Sequence, residues 1–74
     1  MGRLPVVSGD QVRKVLEKEG WTFQRQNGSH MVFTKVESIV TIAVPRHREL
    51  AIGTLRRILR DAGITVEKFV ELLD

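Results

Sequence analysis

The sequence predicts an α+β fold: a helix, a three-stranded antiparallel sheet, then a second helix and a short third one. Three observations carry this. Apolar residues recur with helical spacing over residues 8–20 and again over 52–63. Between them lie three stretches of alternating or β-branched character, "WTFQR", "SHMVFTK" and "IVTIAV". Their connections are too short for parallel crossovers, so the strands pair as an antiparallel meander. Helices then cover one face of the sheet and leave the other open.

The first helix is marked at both ends. Ser8 suits the N-cap, and Gln11, three residues on, closes a capping box. Val7 and Val12 flank that cap as a hydrophobic staple, and Val12, Val15 and Leu16 form the inward stripe. Gly20 stops the helix by accepting a left-handed conformation. Pro45 stops the third strand. In "IGTLRRILRDAG", Leu55, Ile58, Leu59 and Ala62 face inward, while Arg56 and Arg60 form an outward row with Arg57 beside it; Gly63 is the stop. Thr65 caps the last helix, with Val66, Phe69, Val70 and Leu73 inward and Ile64 stapled to Phe69.

The register of the first hairpin decides where His30 points. A two-residue loop at Asn27-Gly28 pairs Arg25 with His30 and puts Trp21 and Phe23 on the opposite face from Met31 and Phe33. Splitting them wastes burial worth about 1.5–3 kcal/mol for each exposed aromatic or Met. A three-residue loop, Gln26–Gly28, with Gly28 left-handed, pairs Gln24 with His30 and Phe23 with Met31. All four large residues then share one face, and Phe33–Val40 and Met31–Ile42 continue it onto the third strand. This register is the one expected. It puts His30 on the open face between Gln24 and Ala43, with Thr22, Val32, Thr34 and Thr41 around it. An accessible imidazole changes charge near neutral pH and suits proton transfer.

Length and composition narrow the classes. With 74 residues, 42% hydrophobic and 28% charged, the chain reads as one globular domain over residues 1–74. It has no cysteine, hence no disulfide frame or thiolate metal site. No apolar run reaches the ~20 residues of a membrane span and no signal peptide opens the chain, so a cytoplasmic location is expected. The net charge is +3, unevenly spread: Arg46 to Arg60 holds five arginines and one acid, Asp61 to Asp74 four acids and one lysine. A basic middle suits a polyanion such as nucleic acid, or simply a solvated helix face. Two histidines make a poor metal constellation, and neither a phosphate-binding glycine loop nor a serine-hydrolase elbow is present. No metal or other cofactor is expected.

Three segments then resemble one family. "GWTFQRQNGSHMVF" after the opening helix is similar to the glycine-aromatic segment leading into Gly-Ser-His of the HicA toxins, the RNA-cleaving halves of HicA–HicB toxin–antitoxin pairs. "VPRHREL" resembles the family's Val-Pro-x-His segment, and "IGTLRRILRDAGIT" its Gly-Thr-Leu-x-x-Ile-Leu helix and following turn. The resemblance covers nearly the whole chain. It implies a fold like a double-stranded-RNA-binding domain, a catalytic role for His30 framed by Gly28 and Ser29, and a second recurring histidine at His47. Many members carry another histidine after Gly-Ser-His, where this chain has Met31; the expected register buries residue 31, so activity should survive.

The activity implied is metal-independent cleavage of mRNA, with His30 transferring a proton and Arg25, Lys35, Arg46 and Arg48 as candidates for phosphate contacts. A HicB-like antitoxin is the implied protein partner. A non-catalytic RNA-binding module and a protein-interaction domain of the same fold are the alternatives. The helix after the sheet opens "LAIGTL", without the lysine cluster usual in duplex-binding modules, which counts against plain duplex binding.

Overall fold

The first helix, α1 (Gly9–Lys18), begins at a closed capping box. Ser8 Oγ accepts from the Gln11 amide at 3.1 Å, and Gln11 Oε1 accepts from the Ser8 amide at 2.8 Å. Val7 and Val12 are both buried, as the staple requires. Gly20, with φ +92°, turns the chain toward the sheet just past the helix end. This computed structural model describes residues 3–73; Met1, Gly2 and Asp74, the last acid of the tail, lie outside the described residues.

Three strands follow: β1 (Thr22–Asn27), β2 (His30–Thr34) and β3 (Ile42–Pro45), antiparallel and in the order β1-β2-β3. Two more helices, α2 (Ile52–Ala62) and α3 (Val66–Leu72), complete the α-β-β-β-α-α order expected. Gly63, at φ +71°, ends α2 in the left-handed region. Thr65 caps α3, its side chain accepting from the Lys68 amide at 3.1 Å. One core joins Met31, Phe33, Ile42 and Val44 of the sheet to Val12, Val15 and Leu16, to Leu55, Ile58 and Leu59, and to Phe69. Phe33 and Phe23 meet edge to face, with ring centroids 5.8 Å apart. All three helices contribute to this one core face. Val70, expected inward, is exposed: a helix of two turns packs along one line, which Phe69 occupies, and the next residue is rotated away by about 100°.

The sheet departs from the expected register in two places. The hairpin turns at Gly28-Ser29, pairing Asn27 with His30, Gln26 with Met31 and Arg25 with Val32. Gly28 has φ +63° while Ser29 does not enter the left-handed region, the pattern of a glycine-first two-residue turn. A bulge between Phe23 and Arg25 then resets the ladder, so Phe23 faces Phe33 and Thr22 faces Thr34. The bulge does what the longer loop was expected to do: it brings Phe23 and Phe33 to the same face. The bulged Gln24 therefore does not flank His30; its amide donates to Thr34 Oγ1 at 2.8 Å. On the other side Met31 pairs with Val44 and Phe33 with Ile42, two residues further along than expected. An even shift preserves every facing. Residues 39–41, expected in the strand, belong to the β2–β3 connection, where Ser38 N donates to Lys35 O at 3.0 Å and Glu37 has φ +68°. Thr41 thus leaves the sheet face, and Val32, on that face, is buried rather than open.

Candidate functional site

The site is built where three segments converge: the hairpin tip (28–30), the loop after β3 (46–49) and the start of α1. Backbone bonds tie them together. Arg46 N donates to Ser29 O at 2.6 Å, extending the β2–β3 ladder past Pro45, whose ring leaves no donor. Gly9 N donates to His47 O at 2.9 Å, and Leu50 N to Val7 O at 2.9 Å. Gly9 is required for this closeness. A Cβ there would collide with the Pro45 carbonyl oxygen and lie 3.0 Å from Arg46 Cα.

Side chains add a second tie. Gln26 Nε2 donates to Gly28 O at 3.0 Å, and Gln26 Oε1 accepts from Arg46 Nη1 at 3.3 Å. Arg46 Nε also lies 3.3 Å from Asp10 Oδ1 in the first turn of α1. Both partners are more than half exposed, so this ion pair is worth at most about 1 kcal/mol and Arg46 can exchange it for another anion.

His30 stands on the open face at the head of β2, exposed, between Asn27 and Pro45. Among the described residues, no hydrogen bond or ion pair engages its imidazole or that of His47, which is also exposed. Arg25 lies diagonally across β1 on the same face, a separation on the order of 7–8 Å in antiparallel sheet. Met31, beside His30, is fully buried in the core. The arrangement presents an exposed imidazole with Arg25 diagonal to it on the same face, while the Arg46 side chain runs to Gln26 and Asp10 on the opposite face.

Of the residues singled out from sequence, Arg25, Gly28, Ser29, His30, Arg46 and His47 gather at this end of the sheet, and Arg48 follows in the same loop, exposed. Lys35 does not join them. It follows the far end of β2, five residues from His30, on the order of 16 Å at ~3.3 Å per residue. There its Nζ lies 5.8 Å from the centre of the Trp21 ring. Sequence reasoning missed Gln26 and Asp10. Asp10 reads as a charge complementing the helix dipole, and nothing local signals its second partner, Arg46, far along the chain.

A family model described as "HicA toxin of bacterial toxin-antitoxin" matches residues 9–64. The chain belongs to this family. It is therefore a toxin of a toxin–antitoxin system, and an antitoxin partner follows. No curated protein matches the chain. The span matched to the HicA toxins begins at Gly9, the residue that admits the Pro45 carbonyl, and holds the hairpin tip, the 46–49 loop and all of α2. Only α3 and the ends of the chain lie beyond it. No helix among the described residues is long and apolar enough to cross a membrane.

Proposed function

We propose that this HicA toxin is an endoribonuclease that cleaves mRNA in the cytoplasm by acid–base chemistry at His30. The observation that carries the reading is an exposed, unpartnered imidazole at a glycine-framed hairpin tip, beside Arg25 and the Arg46–Arg48 loop, in a chain of this family. A base removes the proton of a ribose 2′-hydroxyl, and that oxygen attacks the adjacent phosphorus. The bond to the 5′-oxygen breaks, and an acid returns a proton to that oxygen. The products are a 2′,3′-cyclic phosphate and a 5′-hydroxyl. His30 serves one of the two proton transfers, and His47 or water the other. Arg25, Arg46 and Arg48 hold the phosphate and stabilise the charge that builds on it. Among the described residues the Arg46 side chain is held by an exposed ion pair and a 3.3 Å amide contact on the opposite face, so it must release both and swing around the end of the sheet to meet a phosphate at His30.

No group of three or more His, Cys, Asp or Glu side chains among the described residues is arranged to hold a metal ion. The scheme moves both protons through imidazole or water and meets the phosphate charge with arginines, so cleavage of an unstructured RNA is expected to continue in EDTA; activity lost there and restored specifically by magnesium or zinc overturns the metal-free scheme. A HicB-like antitoxin neutralises the toxin by covering the open face around His30, since the helices all pack on the other face. The central test compares wild type with His30→Ala on one RNA, scoring both cleavage and product ends. Cyclic-phosphate ends from wild type and intact RNA with the variant are expected. Wild-type rates from the variant overturn the assignment.

A further inference from the structure

One cationic region stands apart from the site just described. α2 buries Leu55, Ile58 and Leu59 and turns Arg56, Arg57 and Arg60 outward, all exposed. A shallow cleft of about 500 Å³ runs from this side of α2 to the start of α3, lined by the three arginines with Leu59, Ile64 and Thr65. Arg56 and Arg60 are one turn apart, about 6 Å along the axis. Like charges at this spacing destabilise an isolated helix by a few tenths of a kcal/mol. Little within the protein relieves it. Arg60 approaches Asp61 only at 4.0 Å with its side chain 78% exposed, and among the described residues Arg56 and Arg57 have no ion-pair partner.

Arg57 occupies a junction. Besides the cleft, it lines a smaller hollow of about 130 Å³ between α2 and β3, together with Thr41, Ala43 and Asp61. Ala43 pairs with Val32 and lies on the open face. It is a diagonal neighbour of His30, on the order of 7–8 Å away. The cations therefore follow a line: Arg60 and Arg56 on the helix, Arg57 at the β3 edge, then across Ala43 to His30, with Arg25 beyond.

We infer that Arg56, Arg57 and Arg60 form a track for the phosphate backbone of single-stranded RNA, which passes over the β3 edge and reaches His30. This rests on the ribonuclease reading and deepens it by naming the substrate as a single strand longer than the cleavage site. A line of charges that bends around an edge suits a flexible strand, whose phosphates repeat and whose backbone turns between them. A stiff duplex cannot follow the bend. Asp61 opposes an anion in the hollow, so Arg57 is the group that must prevail there. The arginines supply affinity and positioning; none of them touches the reacting atoms.

The test measures binding in the His30→Ala background, so that the RNA survives. A labelled, unstructured RNA of about 16 nucleotides, within the site sizes of single-strand binders, is titrated by fluorescence anisotropy at salt concentrations from about 50 to about 200 mM. Each phosphate left without its cation lowers the salt slope by about 0.7, so Arg56→Gln, Arg57→Gln and Arg60→Gln together should lower it by about 2. Over that fourfold range the parent then loses roughly 20-fold more affinity than the triple variant. The matching Arg→Lys triple should keep most of the slope, which separates charge from packing, and melting temperatures confirm that each variant folds. An unchanged slope in a folded glutamine variant overturns the track and leaves the His30 reading intact. Failure of the parent to bind RNA overturns the ribonuclease reading, and the track with it. An unchanged slope combined with lost antitoxin binding also overturns the track, because the patch then docks a protein.

Discussion

The two faces of β2 are made from adjacent residues and obey opposite constraints. Met31 and Phe33 are fully buried, and Phe33 packs edge to face on Phe23. His30 is exposed on the other face and, among the described residues, its imidazole has no hydrogen-bond or ion-pair partner. Val32 stands between the two cases: it is buried although it lies on the His30 face, flanked by Arg25 and Ala43 on the neighbouring strands. Burial energy thus decides which face a residue takes. It does not decide which residue lies opposite, because any even shift along the strand keeps the same side chains inside. The position of His30 among its neighbours is set instead by polar and steric ties at one end of the sheet.

Phe33→Ala should have the largest effect and remove both faces together. Emptying a fully buried aromatic site costs about 3–5 kcal/mol, against a total stability of roughly 4–11 kcal/mol for a domain of this length. A fall in melting temperature of roughly 12–40 °C is expected, with cleavage lost at 37 °C because the protein unfolds. A variant melting within a few degrees of wild type would mean that Phe33 is not a core residue. His30→Ala is the opposite experiment. It leaves no cavity, so thermal denaturation should superimpose on wild type while the cleavage rate falls about 10²–10⁴-fold. A large loss of stability would show His30 to be structural.

The helices were legible because their signals are local. Val7, Ser8, Gln11 and Val12 lie within six residues of chain, and the capping box and staple form as the sequence implies. Gly63 and Thr65 mark their boundaries for the same reason. The facing of Met31 and Phe33 was legible because alternation alone determines it. The register was not, since two devices restore the same parity: a loop one residue longer, or a bulge. The chain uses a two-residue turn at Gly28-Ser29 and a bulge at Gln24, and no residue in that segment distinguishes the options by type. At the site, His30 and its glycine turn were visible in the motif. The Asp10–Arg46–Gln26 chain was not, because it joins residues distant in sequence through side chains that have other common uses.

Gly9→Ala tests whether the ties position the site. In an ordinary helix this change is favourable by up to about 1 kcal/mol. Here the new methyl meets the Pro45 carbonyl and Arg46 Cα, both backbone, which cannot rotate away. Overpacking of this kind costs about 1–3 kcal/mol, so a net loss of roughly 1–2 kcal/mol is expected. Unlike His30→Ala, the variant should also cleave more slowly while still folded, because the displaced 45–47 segment carries the Arg46 amide that holds Ser29. Chemical shifts of Ser29 and His30 report the displacement. Full activity with unchanged shifts would mean that the close approach does not govern the hairpin tip.

Gly28→Ala should have the most local effect, similar in stability cost to Gly9→Ala but confined to the turn itself. Nothing lies within 4 Å of a Cβ added there, so no steric collision contributes. What remains is the backbone: φ is +63°, and holding an alanine in the left-handed region costs roughly 1–2 kcal/mol. Asparagine visits that region more readily, so Gly28→Asn should recover part of the loss. The comparison distinguishes turns that the sequence alone left equal. With Gly28 first in a two-residue turn, Ser29 is not left-handed, and Ser29→Gly brings no relief of backbone strain. If Ser29→Gly stabilised the protein while Gly28→Ala did nothing, the left-handed residue would be Ser29. The hairpin would then turn differently, and the pairing of His30 with Asn27 would have to be redrawn.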